Sequence, residues 1–237
     1  MVSFPKLPAR KKRFADNHAL DEFYLNFENN FRGSEKDIRE KVVFYAELLK
    51  RSSVNYDKHP IIDVGCGRGE LLSILHQYSL RAIGIDINHE MVATAKKRGF
   101  EAKQADAIEF LSRSRPGKYG AITGMQLIEH IPFEELVAFF KACYQSLTKD
   151  GLVVFETPNP ENLNVGTYSF YMDPSHLHPL PPPLTKYALE SVGFKDVEIL
   201  YRNEAKKRRK KYDDPMLQEL SNRLYGPLDY AVVGYKR

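Results

Sequence analysis

The alternation of apolar and polar residues along this chain predicts helices and short strands in turn. Apolar residues follow helical spacing over residues 14–31, and again after Ser34, which is placed to cap a second helix. From residue 61 onward, apolar runs typical of strands alternate with amphipathic helices. The predicted strands cover residues 61–64, 81–86, 101–104, 119–124, 152–156, 197–200 and 229–235. Strands separated by helices indicate an α/β fold with a parallel sheet covered on both faces.

The first predicted strand runs into a glycine-rich turn, residues 65–69, that opens a helix. Glycine is needed where the backbone adopts a positive φ or where a ligand approaches it closely. N–H groups at a helix start favour a ligand that carries a negative charge or a carboxylate. The spacing departs from the G-x-G-x-x-G pattern of dinucleotide sites, because the third glycine arrives one residue early and Glu70 takes its place. A nicotinamide-dependent oxidoreductase is therefore the less favoured interpretation.

Polar residues follow the next three predicted strands at the same edge of the sheet. Asp86 ends the second strand, where its carboxylate can accept hydrogen bonds from two ribose hydroxyl groups. Asp106 follows the third strand, and residues 125–130, with the sequence MQLIEH, follow the fourth. Because the carboxyl ends of neighbouring parallel strands converge on one crevice, these residues are expected to surround one ligand.

Together, these motifs resemble those of class I S-adenosylmethionine-dependent methyltransferases. The resemblance implies a Rossmann-like fold, with a seven-stranded, mostly parallel sheet whose last strand is antiparallel, and a helical cap at the amino terminus. It implies S-adenosylmethionine as methyl donor and S-adenosylhomocysteine as product. The residues assigned to the donor site are Arg32, Asp63, Gly65, Cys66, Gly67, Asp86, Ile87, Asp106, Ala107 and Gln126. Arg32 would reach the donor's carboxylate from the cap, a task that suits a guanidinium group.

Further segments resemble a bacterial methyltransferase group that occurs with polysaccharide-assembly and glycosyltransferase proteins, O-antigen methyltransferases among them. These segments are residues 27–34, 65–70, 128–130, 156–162, 170–176 and 226–234. The resemblance runs from about residue 22 to the end and is interrupted at residues 203–215. It implies O-methyl transfer to a sugar hydroxyl of a bacterial polysaccharide or glycan precursor.

A hydroxyl group is a poor nucleophile at neutral pH, and it benefits from a base that takes its proton as the new bond forms. His130 follows the fourth strand, and His176 lies in the proline-rich segment 157–183, which is expected to cover the same crevice. A neutral imidazole suits this task near pH 7. Glu129 is expected to orient His130 or to bind acceptor hydroxyls. The predicted catalytic residues are therefore His130, Glu129 and His176.

A divalent cation is an alternative to a histidine base. Glu129, His130 and His176 resemble part of the magnesium-binding set of small-RNA ribose methyltransferases and of a quinone O-methyltransferase group. Gln126 stands where that pattern has its first glutamate. Since one anionic ligand fewer weakens a site for a hard cation, a metal is not favoured.

Composition adds domain and charge information. Residues 1–50 are predicted to form a basic tail and helical cap, and residues 51–237 the methyltransferase domain, with a basic insertion at 203–215. The net charge is +4, with basic runs at residues 10–13 and 206–211. These runs are either solvated or contact a partner, which would be a glycosyltransferase or something anionic such as a phosphoglycan, a membrane surface or RNA. No apolar run approaches the about 18 residues of a membrane span, so a cytoplasmic protein with two reduced cysteines is expected.

Several alternatives stay open at this point. The acceptor could be an RNA ribose hydroxyl or a quinone-like small molecule instead of a glycan, although nucleic acid is less favoured because few aromatic residues interleave with the basic run. A protein that binds the donor without catalysing transfer is a further alternative.

Overall fold

The computed structural model describes residues 35–204 and 211–237, which form an α/β unit around one sheet. The strands are β1 Ile61–Val64, β2 Ala82–Asp86, β3 Ala102–Gln104, β4 Tyr119–Met125, β5 Leu147–Pro158, β6 Lys195–Glu204 and β7 Pro227–Tyr235. The helices are α1 Glu35–Lys50, α2 Glu70–Gln77, α3 His89–Lys97, α4 Ala107–Ser112, α5 Phe133–Ser146, α6 Leu163–Thr167, α7 Pro182–Ser191 and α8 Pro215–Tyr225. Two short 3₁₀ helices cover Ile128–His130 and Ser169–Met172.

The sheet has seven strands in the order β3-β2-β1-β4-β5-β7-β6. Strand β7 is antiparallel to both of its neighbours, β5 and β6, while the pairs among β1 to β5 are parallel. The predicted Rossmann-like fold, with its antiparallel last strand, is therefore confirmed. The strand order reverses between β1 and β4, and ligands of such sheets bind at the carboxyl ends of the strands flanking this point.

Apolar side chains cover both faces of the sheet. On one face, Phe139 of α5 packs among buried residues of β4 and β5, such as Ile122 and Phe155. On the other face, Tyr45 and Leu49 of α1 share a core with residues of α2, β1 and β5. Helix α1 is the second helix predicted for the cap, and its predicted apolar face is buried. The first predicted cap helix, residues 14–31, and Arg32 lie outside the described residues, and the domain boundaries stay predictions.

Strands β5 and β6 and the proline-rich segment differ from the sequence-based expectation. Strand β6 spans Lys195–Glu204 and is longer at both ends than the predicted residues 197–200. Strand β5 begins at Leu147, earlier than predicted, because the chain continues in extended form through an irregularity at Asp150, whose φ is +61°. The proline-rich segment contains helix α6, which is capped by the Asn162 side chain. The segment also buries Phe170. Within residues 35–204 and 211–237, no helix combines the length and the apolar character needed to cross a membrane.

Candidate functional site

The glycine turn after β1 has the backbone geometry that its sequence predicts. Gly65, Gly67 and Gly69 have φ values of +65°, +52° and +87°. L-residues with side chains pay a free-energy cost in this region, so glycine suits all three positions. A Cβ atom added to Gly84 of β2 would clash with the sulfur of Cys66, at 2.6 Å. Glycine at this position of β2 therefore leaves space for the Cys66 thiol. Burial raises the pKa of the Cys66 thiol, which therefore stays protonated at neutral pH.

Asp86 connects the glycine turn to the end of β2. One carboxylate oxygen accepts a hydrogen bond from the Gly67 N–H at 2.9 Å, and the other accepts one from the Asn88 N–H at 2.8 Å. These bonds fix the carboxylate at the carboxyl edge of the sheet, where a ribose contact is predicted. The neighbouring Ile87 side chain is 54% exposed. An exposed apolar side chain at this position suits contact with a flat ring.

Asp63 and Asp106, two other predicted donor residues, have different surroundings. The Asp63 carboxylate is 3% exposed and accepts a hydrogen bond from the Thr123 hydroxyl at 2.9 Å. It therefore supports the turn from below. Asp106 caps α4, which begins at Ala107, by accepting from the Glu109 N–H at 3.0 Å. Asp106 also lines a cleft of about 680 Å³ at the end of β3.

Gln126, at the end of β4, has a left-handed backbone with a φ of +54°. Its N–H donates to the Glu156 carbonyl oxygen at 2.8 Å. Its side-chain nitrogen lies 3.2 Å from Glu156 Oε1 and 3.2 Å from Asp229 Oδ1. Leu127 packs over the glycine turn, since a Cβ atom on Gly65 would lie 3.0 Å from Leu127 Cδ1. Gln126 thus contacts a buried carboxylate pair, and the next residue, Leu127, contacts the glycine turn.

The predicted catalytic residues come together in one cluster. Glu129 and His130 lie in the 3₁₀ helix after β4, while His176 comes from the proline-rich segment. The two imidazole rings meet edge to face, with centroids 4.7 Å apart. Glu129 is fully buried, and its Oε2 accepts a hydrogen bond from the Thr157 hydroxyl at 2.8 Å. The segment therefore covers the carboxyl ends of β4 and β5, as expected.

Hydrogen bonds assign the tautomers of both histidines when they are neutral. His176 Nδ1 lies 2.7 Å from the Phe170 carbonyl oxygen, which can only accept, so this nitrogen carries the proton. The Ser175 hydroxyl donates to Asp173 Oδ1 at 2.6 Å, and it therefore accepts from His130 Nδ1 at 2.9 Å. In both rings, the lone pair is left on Nε2. His176 Nε2 lies 3.9 Å from both Glu129 Oε1 and Asp173 Oδ2.

The same three side chains form a candidate cation site. A carboxylate oxygen of Glu129 and one imidazole nitrogen from each of His130 and His176 all lie within 4.8 Å of one another. Two imidazoles and one carboxylate suit a divalent transition metal better than magnesium, which prefers oxygen ligands. Gln126 contacts Glu156 and Asp229 instead. The described cluster thus supplies three ligands.

The structure thus brings the predicted donor residues to the ends of β1 to β4 and the predicted catalytic residues to the ends of β4 and β5. Their functional roles stay predictions, as does that of Arg32. Glu156, Asp229 and Tyr45 had no predicted role. Glu156 ends one predicted strand and Asp229 begins another, so a carboxylate at a strand end was the sequence feature that could have identified both residues. Tyr45 lies on the apolar face of α1 and had no such feature.

Comparison with known proteins gives consistent matches. The family described as "Methyltransferase domain" matches residues 32–199. A SAM-dependent methyltransferase from Archaeoglobus fulgidus superposes with a TM-score of 0.81 at 29% identity, over 90% of this chain and 100% of that one.

Among curated proteins, similar sequences carry the name ubiquinone biosynthesis O-methyltransferase. The protein from Yersinia enterocolitica is 29% identical over 117 residues, 47% of each chain. That from Methylococcus capsulatus is 32% identical over 103 residues, 41% of this chain and 43% of that one. The matches thus span less than half the length of these relatives.

Proposed function

This chain belongs to the methyltransferase-domain family, and on that basis we propose that it transfers a methyl group from S-adenosylmethionine to a hydroxyl oxygen of a small-molecule acceptor. The family match supports the predicted enzyme class, and the similarity to a SAM-dependent methyltransferase supports the predicted methyl donor. The observation that carries O-methyl transfer is the cluster of Glu129, His130 and His176 at the carboxyl ends of β4 and β5.

The glycine turn suits the proposed donor. When bound, S-adenosylmethionine supplies a methyl group on a sulfonium, so the protein mainly binds, orients and excludes water. The backbone of Gly65 to Gly67 allows close approach, and Asp86 is already oriented by two backbone N–H groups. Ile87 and the cleft beside Asp106 suit the adenine end.

His176 is the proposed base for the acceptor hydroxyl. Its Nδ1 proton is held by the Phe170 carbonyl group, so the Nε2 lone pair is available. When Nε2 takes a proton, the imidazolium lies 3.9 Å from carboxylate oxygens of Glu129 and Asp173, which stabilise its charge. His130, oriented by Ser175, lies against the same ring and can bind the acceptor oxygen or relay the proton.

The acceptor is proposed to be a small cyclic molecule with a phenolic hydroxyl. The curated relatives are named for ubiquinone biosynthesis, which supports the small-molecule alternative over the glycan implied by the sequence resemblance. Aromatic residues near the cluster support a ring-shaped acceptor as well. Phe170 packs against both His176 and Tyr171, and Tyr171 is 62% exposed. The glycan acceptor, a glycosyltransferase partner and a cytoplasmic location stay predictions.

Labelled S-adenosylmethionine tests this proposal with three sets of acceptors: catechol-type phenols, soluble and lipid-linked oligosaccharides, and RNA. Label is expected on a phenolic oxygen. Label only on oligosaccharide or RNA would contradict the small-molecule acceptor, and label on nitrogen would contradict O-methyl transfer.

His176→Asn tests the base, because asparagine can keep the hydrogen bond to the Phe170 carbonyl group but has no counterpart of Nε2. Turnover should fall by about 10²-fold or more. His59→Asn is the matched control, since His59 Nδ1 lies 3.0 Å from the Gly117 carbonyl oxygen, outside the cluster. Wild-type turnover in His176→Asn would exclude this base. Turnover that chelation abolishes and a divalent cation restores would assign the cluster to a metal instead.

A further inference from the structure

Glu156 and Asp229 form a buried carboxylate pair that has no role in the proton transfer described above. They are 3% and 8% exposed. The Tyr45 hydroxyl of α1 donates to Glu156 Oε2. The Asn203 side-chain nitrogen lies 3.3 Å from Glu156 Oε2 and 2.7 Å from Asp229 Oδ2. Side chains from α1 and β6 therefore hold the carboxylates of β5 and β7 in place.

The pair determines how the Gln126 amide is oriented. Both carboxylates accept from Gln126 Nε2, at 3.2 Å each, and an amide nitrogen has two hydrogens to donate. If the amide were turned by 180°, its carbonyl oxygen would face the Asp229 carboxylate and, whenever Glu156 is ionised, a second carboxylate. The nitrogen must therefore point toward Glu156 and Asp229, and the carbonyl oxygen points away from them.

The position of Gln126 suggests what this oxygen binds. The residue sits at the end of β4, next to Leu127, which packs over Gly65 of the donor turn. The left-handed backbone of Gln126, with a φ of +54°, keeps its N–H on the Glu156 carbonyl oxygen. A constrained conformation of this kind, in a residue that is not glycine, is often associated with a functional site.

The charges near Gln126 favour a cationic group. Lys41 Nζ approaches Asp229 Oδ2 to 3.7 Å, but the Lys41 side chain is 43% exposed. Arg202 lies over the Phe44 ring at 3.7 Å. Burial and the neighbouring Asp229 raise the pKa of Glu156, as expected where nearby cations do not compensate the carboxylate charge. S-adenosylmethionine carries an ammonium group, which can donate to an amide oxygen.

We propose that Glu156 and Asp229 are positioning residues that hold the Gln126 amide with its oxygen toward the donor site, where it accepts a hydrogen bond from the donor's ammonium group. The proposal rests on S-adenosylmethionine as the donor. A hydrogen bond from a charged donor contributes enough to change affinity by about tenfold or more.

Calorimetric binding of two ligands tests this inference without measuring turnover. The first ligand is S-adenosylhomocysteine, and the second is its analogue with hydrogen in place of the α-amino group. Wild-type protein should prefer the first by about tenfold or more. Glu156→Gln should lose most of this preference, because the new amide brings an NH₂ group against that of Gln126. Gln126→Met should lose it as well, because methionine has no amide oxygen.

Glu161→Gln is the matched control, because Glu161 accepts from the Tyr201 hydroxyl at 2.8 Å and is a similar tyrosine–glutamate pair. It should keep the preference. If Glu156→Gln fails to fold, as judged by its thermal transition, Asp229→Asn takes its place. Wild-type preference in a folded Glu156→Gln or Gln126→Met protein would overturn the inference. Absence of S-adenosylhomocysteine binding to the wild type would instead refute the proposed donor.

Discussion

The Glu156 side chain is a carboxyl group whose pKa is raised by burial. Burial and the nearby Asp229 carboxylate raise its pKa from an ordinary value of 4.5 to about 7. The groups around it are Tyr45 and Lys41 of α1, Asn203 of β6, Asp229 of β7 and Gln126 after β4. Hydrogen bonds from Tyr45 and Gln126 and the charge of Lys41 oppose this increase without cancelling it. Folding therefore favours the protonated form of Glu156.

This shift predicts how stability depends on pH. Because the pKa is higher in the folded state, the proton on Glu156 stabilises the fold fully below about pH 4.5, and this contribution is lost as the pH rises through about 7. Between pH 5 and pH 8, the free energy of unfolding of the wild type should fall by about 2–3 kcal/mol relative to that of Glu156→Gln, because glutamine does not titrate. Urea unfolding of both proteins at several pH values measures the difference. If the free energy of unfolding changed with pH in the same way in both proteins, the raised pKa of Glu156 would be contradicted.

At the scale of elements, asparagine side chains attach the segment that carries His176 to the sheet. Asn159, Asn162 and Asn164 donate from their side-chain nitrogens to carbonyl oxygens between the end of α8 and the start of β7. The acceptors are the carbonyl groups of Pro227, Gly226 and Leu224, at 3.0–3.1 Å. These asparagines therefore hold the segment in place, and their side-chain nitrogens are already engaged and do not bind the methyl acceptor.

Asn162 is the best position to test this attachment, because it is 2% exposed and its Oδ1 also caps α6. Asn162→Ala should destabilise the protein by about 1–3 kcal/mol, since a buried carbonyl group and two N–H groups lose their partner. Hydrogen exchange should increase at residues 160–172 and 224–228, and turnover should fall while donor affinity is retained. Asn222→Ala, an exposed residue of α8, serves as the control. Unchanged exchange in Asn162→Ala would show that the segment is held by other contacts.

These elements also show how far sequence reasoning reaches. Apolar periodicity located β1 to within a residue at each end, because a short buried strand between turns has an unambiguous pattern. It missed α6 and the 3₁₀ helices, since they are set by asparagine caps and by the burial of Phe170 rather than by a repeating pattern. The start of β5 was missed because the Lys149-Asp150-Gly151 sequence reads as a turn, whereas the chain passes through it as an irregular strand.

At the scale of the molecule, the sheet order brings distant parts of the chain to one edge. Glu129, which follows β4, meets Thr157 near the end of β5, and His176 joins them from 19 positions after Thr157. The sequence could predict that these residues share an edge, because parallel strands end together. It could not predict that Gln126 bonds to Glu156 and Asp229, because that contact depends on the register of β7 against β5, in which Asp229 pairs with Pro158.

The arrangement of this edge leads to a prediction for the whole molecule, since a ligand that binds only the folded state stabilises it by mass action. S-adenosylhomocysteine at about 100 times its dissociation constant should add about 2.7 kcal/mol to the free energy of unfolding, which for a chain of this size raises Tm by about 5–10 °C. NAD should produce no comparable increase in Tm, because the third glycine of the turn is one residue early for a dinucleotide. Gly65→Ala should reduce the shift, since its Cβ would lie 3.0 Å from Leu127 Cδ1 at a φ of +65°. Calorimetric scans with each ligand decide this, and a larger shift with NAD would reassign the turn to a dinucleotide.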